Sequence, residues 1–240
     1  MHATPQKLAG PESYEIQGRT VTMPAVVRDA SAGNAIFSVP AAAAQRLVGE
    51  AFTVVEMAPG QTQLILGFVD YRDNDLGDYN EVMIVFMVRP RGASADADGT
   101  FIYKLPVNQS FTCEAGRTIW GFPKSVEQID IDYHDDRAIC RLLMGGEHVF
   151  TLTVPRTQGE GAAAPDMAMT SYTYLDGPMA VPFTTGGYGT SMVAGADGVE
   201  LALGPHALAG ELRALGLPAP AMMSTWTEHM HGAFGAPRAL

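Results

Sequence analysis

Glycine and proline divide this chain into short segments, with 26 glycines and 16 prolines among its 240 residues. Because glycine weakens helices and proline breaks them, this density favours strands joined by turns. Apolar and β-branched runs predict strands at residues 20–23, 25–27, 52–57, 63–69, 81–88, 101–103, 129–133, 138–144 and 148–154. Proline followed by helix formers predicts two short helices, at residues 40–48 and 205–215. The predicted fold class is therefore mainly β, of the α+β type.

Turn residues predict how several of these strands pair. Pro59-Gly60 separates residues 52–57 from residues 63–69, which suggests a hairpin. Asp135-Asp136 and Gly145-Gly146 separate the last three runs, which predicts a three-stranded meander. Residues 81–88 are apolar on both faces, as in a strand buried in a closed barrel or between layers. We expect residues 157–165 to form a loop and residues 186–189 to form a flexible turn.

The composition is that of a folded, acidic protein. The chain is 47% hydrophobic and 17% charged, which is too apolar for disorder, and its formal net charge is −11. Nucleic acids and anionic membranes bind basic surfaces, so we expect neither as a partner. The longest apolar run, residues 82–88, is far shorter than the ~20 residues that span a bilayer. We expect one domain over residues 1–240, a cytoplasmic location since no signal segment is apparent, and reduced thiols at Cys113 and Cys140.

One lysine lies in a setting suited to amine chemistry. Lys124 follows Trp120, Gly121, Phe122 and Pro123, which combine two aromatic rings with a flexible and a fixed backbone position. A lysine is nucleophilic only when neutral, and desolvation by an apolar environment lowers a lysine pKa. On the residues alone, a surface lysine on a turn, with the aromatic rings facing the core, is the favoured interpretation.

The segment from Gly116 to Lys124, which reads Gly-Arg-Thr-Ile-Trp-Gly-Phe-Pro-Lys, resembles the signature of the acetoacetate decarboxylase superfamily. Residues 76–81 (Leu-Gly-Asp-Tyr-Asn-Glu) resemble a second motif, and the C-terminal segment resembles the closing strand of that superfamily. The resemblance implies that Lys124 forms a Schiff base with a keto acid and that Glu81 is an active-site acid. It also implies a cone-shaped, closed antiparallel β-barrel with flanking strands and few helices, a homo-oligomer, and no cofactor.

Three positions depart from the decarboxylase pattern. Ser125 stands where those decarboxylases have a second lysine, and the apolar residues 64–68 stand where they have another glutamate. The arginine that faces the substrate carboxylate in the superfamily has no gap-free counterpart here. Arg28 is the best candidate, because it leaves a predicted strand before a predicted turn at residues 29–34; a surface arginine is an equally good interpretation. Trp120, Phe122 and Met83 are candidates for lining the substrate pocket.

These departures bear on the reaction. A protonated imine on Lys124 accepts electrons whether a carboxylate or a methyl proton is lost. The first route decarboxylates a β-keto acid such as acetoacetate. In the second, a base such as Glu81 converts pyruvate into an enamine, which attacks an aldehyde and then loses water. The departures favour the aldolase–dehydratase over the decarboxylase.

Two alternatives from other classes stay open. A small-molecule-binding barrel could keep the lysine without catalysis. His229 and His231, spaced i and i+2, would share one face of a strand and could ligate a metal, although a third protein ligand is not visible nearby. We expect no metal site.

Overall fold

The computed structural model describes residues 12–157 and 161–240, and strands dominate it. The strands are β1 (Ser13–Ile16), β2 (Arg19–Thr22), β3 (Ala25–Pro40), β4 (Phe52–Val54), β5 (Glu56–Ala58), β6 (Gln61–Asn74), β7 (Tyr79–Pro90), β8 (Gly99–Lys104), β9 (Gln128–Tyr133), β10 (Arg137–Met144), β11 (Glu147–Pro155), β12 (Ala162–Tyr174), β13 (Pro178–Ala194), β14 (Glu200–Leu203), β15 (Met223–Phe234) and β16 (Arg238–Ala239). The helices are α1 (Ala41–Val48), α2 (Ser110–Ala115) and α3 (Ala207–Ala214), with a 3₁₀ turn at Ala95–Ala97 and a π-helical turn at Gly116–Trp120.

Seven strands close into a barrel. They pair in the order β7-β8-β12-β13-β15-β3-β6, and β6 pairs again with β7. The predicted closed barrel with few helices is therefore confirmed. The pairing departs from a purely antiparallel barrel at one junction, because β8 and β12 run parallel over two register pairs.

Four local predictions need correction. Residues 186–189 are not a turn but lie inside β13, where they pair with β15. Residues 162–165 of the predicted loop belong to β12, and residues 158–160 lie outside the described part of the chain. The run at 52–57 breaks at Val55 into β4, which pairs with β7, and β5, which pairs with β6. The turn predicted at 29–34 is continuous strand within β3.

The other local predictions agree with the structure. Strands β9, β10 and β11 form the predicted meander, and β14 extends it to a four-stranded sheet. Helices α1 and α3 occupy the predicted segments, and Gly216 follows α3 with a positive φ of 95°. Cys113 and Cys140 are free and buried. In the described parts of the chain, no helix has the length and apolar character that crossing a membrane requires.

The two faces of the barrel wall bury different cores. Outward-facing residues of β3, β6 and β7, among them Phe37, Leu66 and Phe86, pack against the four-stranded sheet and α3. Inward-facing residues of the same strands, among them Ala32 and Val69, pack with residues of α2, the π-helical turn, β8 and β13. The strand period of two separates these sets, so the second core fills the barrel interior.

A polar clamp joins the sheet to the barrel. Arg156, just after β11, binds both carboxylate oxygens of Glu228 on β15, at 2.7 and 3.0 Å. Its guanidinium also lies 5.0 Å from the ring centroid of Tyr133 and 5.7 Å from that of Trp226. A planar guanidinium suits both contacts, since it forms paired hydrogen bonds and stacks on aromatic rings.

Candidate active site

Lys124 is positioned by a helix that ends in a tight reversal. Helix α2 runs into the π-helical turn, and Gly121 then adopts φ +69°, where a Cβ would lie 2.5 Å from the Tyr174 carbonyl oxygen. The Phe122 amide donates to the Gly116 carbonyl at 3.0 Å, and the Lys124 amide donates to the Phe122 carbonyl at 2.7 Å. Glycine is needed at position 121, because other residues rarely adopt this φ and have no space there.

Backbone pairing brings this segment beside Glu81. The Val107 amide donates to the Ser125 carbonyl at 2.9 Å, and Val107 forms bridges with Val126 on one side and Glu81 on the other. Residues 105–107 thus lie between β7 and the chain that follows Pro123. Glu81 and Lys124, which are 43 positions apart in sequence, meet across this short connection.

The meeting point is a buried ion pair. Lys124 Nζ lies 2.8 Å from Glu81 Oε2, and the side chains are 4% and 7% exposed. Lys124 Nζ also donates to Thr112 Oγ1 of α2 at 3.0 Å. Among residues 12–157 and 161–240, Lys124 and Glu81 are the buried charged residues. Burial of charge is costly unless the charges are paired and hydrogen-bonded, and both conditions hold here.

Two tyrosines complete the polar layer around the pair. Tyr71 donates to Glu81 Oε1 at 3.3 Å, so each oxygen of the carboxylate has a separate partner. Tyr79 stacks on Tyr71 with ring centroids 4.5 Å apart, and Lys124 Nζ lies 5.0 Å from the Tyr79 centroid. All four residues are buried. The carboxylate is therefore held in one orientation.

The electrostatics differ from the prediction that an apolar environment lowers the pKa of Lys124. Burial is the largest single influence and pushes this pKa down, but the interactions with Glu81 and Tyr79 together outweigh it, and the pKa of Lys124 is raised. Burial also raises the pKa of Tyr79 to about 12 and, together with the Glu81 charge, raises the pKa of Tyr71 well above its ordinary value. Both phenols stay protonated at neutral pH and can donate hydrogen bonds.

Gly116 leaves room for the Lys124 side chain. A Cβ on Gly116 would lie 2.6 Å from Lys124 Cδ and 2.8 Å from Cε. The backbone of Gly116 is ordinary helix, with φ −60° and ψ −43°, so conformational freedom is not its function. The first glycine of the motif instead lets the lysine pass close to the backbone.

The predicted pocket residues lie on the interior side of the barrel. Trp120 and Phe122 stack with ring centroids 5.7 Å apart, and the Trp120 indole donates to the Gly235 carbonyl at 2.9 Å. Met83 follows Glu81 by two residues on β7, faces the same way, and packs half-buried against the interior core. The structure thus brings Lys124, Glu81, Trp120, Phe122 and Met83 to one interior.

Arg28 lies elsewhere. Its side chain is 47% exposed, and its guanidinium is paired with Asp73 at 2.8 Å and Asp75 at 2.7 Å. A bulge in β3 explains this placement: Val27 and Ala30 both belong to the interior core, so the extra residue leaves Arg28 outside. The surface interpretation of Arg28 therefore fits its position in the structure.

His229 and His231 do not share a partner. His229 Nδ1 lies 2.9 Å from Asp29, whereas His231 Nε2 lies 2.7 Å from Asp166. A shift in the pairing of β15 with β3 falls between these histidines, which explains their separate partners. In the part of the chain that the structure describes, no group of three or more histidine, cysteine, aspartate or glutamate side chains could hold a metal ion.

Three residues that surround the ion pair, Tyr79, Tyr71 and Thr112, were not predicted from the sequence. Tyr79 carried a signal, because it precedes Glu81 by two residues and a strand places both on one face. Tyr71 required the register of the β6–β7 hairpin, in which it pairs with Tyr79. Thr112 required α2, a six-residue helix whose sequence, Ser-Phe-Thr-Cys-Glu-Ala, has low helix propensity.

A separate cavity adjoins the loop that carries Lys124. Its volume is about 280 Å³, and its lining includes Phe101, Tyr103, Gly121, Pro123 and Tyr174. Neither Lys124 nor Glu81 contributes to that lining. The cavity therefore lies beside the loop that carries Lys124 rather than over the ion pair.

Comparison with known proteins gives a consistent picture. The family model described as acetoacetate decarboxylase matches residues 5–184. A comparison with curated proteins finds no significant match. The fold is similar to that of acetoacetate decarboxylase from Legionella pneumophila, with a TM-score of 0.64, 19% identity, and coverage of 90% of this chain and 87% of that one. It is also similar to the enduracididine biosynthesis enzyme MppR complexed with pyruvate, with a TM-score of 0.64, 15% identity, and coverage of 96% and 98%. A second MppR structure holds the condensation product of pyruvate and imidazole 4-carboxaldehyde, with a TM-score of 0.62, 16% identity, and coverage of 97% and 98%.

Proposed function

Since the chain belongs to the acetoacetate decarboxylase family, we propose that it is a lyase in which Lys124 forms a Schiff base with a small keto acid. The observation that carries this proposal is the 2.8 Å contact between Lys124 Nζ and Glu81 Oε2 inside the barrel. It places a primary amine beside a group that can accept its proton, in a site shielded from bulk water.

Proton transfer within the pair supplies the nucleophile. When Lys124 Nζ gives a proton to Glu81 Oε2, an ammonium and a carboxylate become a neutral amine and a neutral acid, and no proton has to come from solvent. The loss of both buried charges offsets part of the energy of the transfer. The raised pKa of Lys124 in the resting pair is therefore compatible with amine chemistry.

The neutral amine then attacks the keto carbon of the substrate. A carbon–nitrogen bond forms, the carbonyl oxygen leaves as water, and the proton held by Glu81 balances the protonated imine. The products are an iminium on Lys124, a carboxylate on Glu81 and one water molecule. Tyr71 donates to the far oxygen of Glu81 and keeps the near oxygen directed at the reacting atoms.

Two reactions can follow from the iminium, and we favour the condensation. In that route Glu81 takes a methyl proton from the pyruvate imine, the resulting enamine attacks an aldehyde, and water is lost. The pyruvate condensation product bound by the similar enzyme MppR supports this route. The alternative is loss of CO₂ from acetoacetate or another β-keto acid, which leaves an enamine that a proton quenches.

Borohydride trapping tests the Schiff base directly. Protein incubated with pyruvate or acetoacetate and then reduced should carry one adduct, located on Lys124 by peptide mass spectrometry. Lys124→Met should abolish the adduct, whereas Lys104→Met, which changes a half-buried lysine on β8, should leave it unchanged. Wild-type protein without an adduct on Lys124 would sink the proposal and favour a non-catalytic binding barrel.

Product analysis separates the two routes. Release of CO₂ from acetoacetate identifies a decarboxylase, whereas enone absorbance from pyruvate with an aldehyde identifies an aldolase–dehydratase. An aldehyde panel that includes aromatic and aliphatic members is needed, because the co-substrate is not specified by Lys124 or Glu81. Trapping without either product would show an imine-forming site with a different second step.

A further inference from the structure

On the interior face of the barrel, residues of neighbouring strands align in rows, and one such row lies next to the row that contains Glu81. Across β3, β6 and β7, the register places Ala32, Val69 and Glu81 in one row. The next row on the same face contains Asn34, Gly67 and Met83, of which the last is a neighbour of Glu81 along β7. A ligand on Lys124 that extends along the barrel would meet this second row.

Asn34 is the polar side chain of that row, and its contacts keep it in the interior. Its amide Nδ2 donates to Thr225 Oγ1 on β15 at 3.2 Å. A Cβ on Gly67 would collide with Asn34 Oδ1 and would lie 3.1 Å from Met83 Cγ, so both side chains converge over this glycine. Asn34, Thr225 and Met83 are half-buried rather than sealed. The row is therefore reachable by solvent and by a small ligand.

Asn34 and Thr225 offer neutral hydrogen-bond donors. Because the Thr225 oxygen accepts from Asn34, the hydroxyl proton of Thr225 points elsewhere, and the Asn34 amide has a second N–H. Asn34 lies on β3 and Glu81 lies two strands away on β7, in the adjacent row. Their Cα atoms are therefore separated by about 12 Å. Both side chains and a substrate of three or four carbons fill such a span.

We propose that Asn34 and Thr225 form the subsite that binds the carboxylate of the keto acid held on Lys124. The assignment rests on the proposed function. It moves the carboxylate contact from the predicted Arg28 to an amide on the same strand, six residues further along and on the inward face. Neutral donors bind a carboxylate without adding a second cation beside the Lys124–Glu81 pair, so the proton of Lys124 stays shared with Glu81.

Paired substrates test this assignment. Wild type, Asn34→Ala and Thr225→Val are trapped with borohydride over a concentration series of pyruvate and, separately, of acetone, which has the reactive carbonyl but no carboxylate. Loss of a hydrogen bond to a charged group should raise the half-saturating concentration of pyruvate about 10- to 100-fold. The acetone value should change less than about 2-fold, since acetone does not reach the subsite. Ser38→Ala, on the exposed part of β3, is the matched control.

A second readout does not depend on the imine. Lactate has the carboxylate but no ketone, and titration calorimetry should show binding to wild type and weaker binding to both variants by a similar factor. Equal losses for pyruvate and acetone, or unchanged pyruvate trapping in a folded variant, would overturn the subsite. Should one variant fail to fold, the other decides the outcome. If wild type forms no imine but lactate binding still depends on Asn34, the Schiff base is wrong and the subsite stands.

Discussion

Gly116→Ala should disable Lys124 although neither member of the ion pair is substituted. The new Cβ would lie 2.6 Å from Lys124 Cδ and 2.8 Å from Cε. Carbon atoms in contact prefer separations of about 3.5–4.0 Å, so the lysine side chain must retreat by about 1 Å. Such a retreat would stretch the present 2.8 Å contact with Glu81 beyond hydrogen-bond range.

The magnitude follows from two opposing terms. In a helical backbone such as that of Gly116, alanine is favoured over glycine by about 0.5–1 kcal/mol. Overpacking a core costs about 1–3 kcal/mol, so the variant should be destabilised by up to about 2.5 kcal/mol. Displacement of the amine by about 1 Å can cost on the order of 100-fold in rate, and borohydride trapping on Lys124 should slow by about that factor.

Gly210→Ala is the matched control. Gly210 lies inside α3, and a Cβ there would meet nothing within 4 Å. This variant should gain about 0.5–1 kcal/mol, seen as a rise in Tm of a few degrees, and should trap substrate at the wild-type rate. The comparison needs urea unfolding and a trapping time course for three proteins. A Gly116→Ala protein as stable as Gly210→Ala and trapped at the wild-type rate would refute the packing role of Gly116.

Three further expectations concern the charges. Glu81→Gln removes the carboxylate that raises the pKa of Lys124, so the midpoint of trapping against pH, scanned from about pH 7 to about pH 12, should move to lower pH. An unmoved midpoint would show that Glu81 does not raise the pKa of Lys124. The pKa of Tyr79 is raised from 10 to about 12, so the unfolded state loses this proton at lower pH than the folded state does. The free energy of unfolding should therefore fall by up to about 3 kcal/mol as the pH rises from about 10 to about 12. Urea unfolding of Tyr79→Phe should show a shallower fall over the same range. Arg156→Lys keeps the charge but loses paired bonding and ring stacking, which should cost about 1–2 kcal/mol in urea unfolding, whereas Arg137→Lys, at a 50% exposed side chain, should be within about 0.5 kcal/mol of wild type.

Local sequence signals predicted the elements that local chemistry specifies. The Asp135-Asp136 and Gly145-Gly146 turns gave the β9–β10–β11 meander, and a proline followed by alanines gave α1. Strands β12 and β13 lacked such signals, because their sequences are rich in alanine, glycine, proline and methionine. They form through pairing with neighbours, and crowding explains two of the glycines: a Cβ on Gly186 would collide with Asp166, and one on Gly187 would lie 2.5 Å from the His229 carbonyl oxygen.

The candidate site divides in the same way. Lys124 and Glu81 were found because each lies in a contiguous motif, but their contact depends on Val107, which carries no motif. The position of Arg28 could not be read from the sequence, because an irregularity in β3 between Val27 and Ala30 alters the alternation of inward and outward residues. The sign of the pKa shift of Lys124 depended on a distance, which motifs do not contain.

Ser125 shows why one lysine suffices in this arrangement. Ser125 follows the buried Lys124 directly in sequence, and its own side chain is half-buried. A second lysine at position 125 would lower the pKa of Lys124 by repulsion. Here Glu81 accepts from Lys124 at 2.8 Å and from Tyr71 at 3.3 Å, which provides a proton acceptor instead of a repelling charge. We infer that this chain generates its neutral amine by proton transfer within the pair.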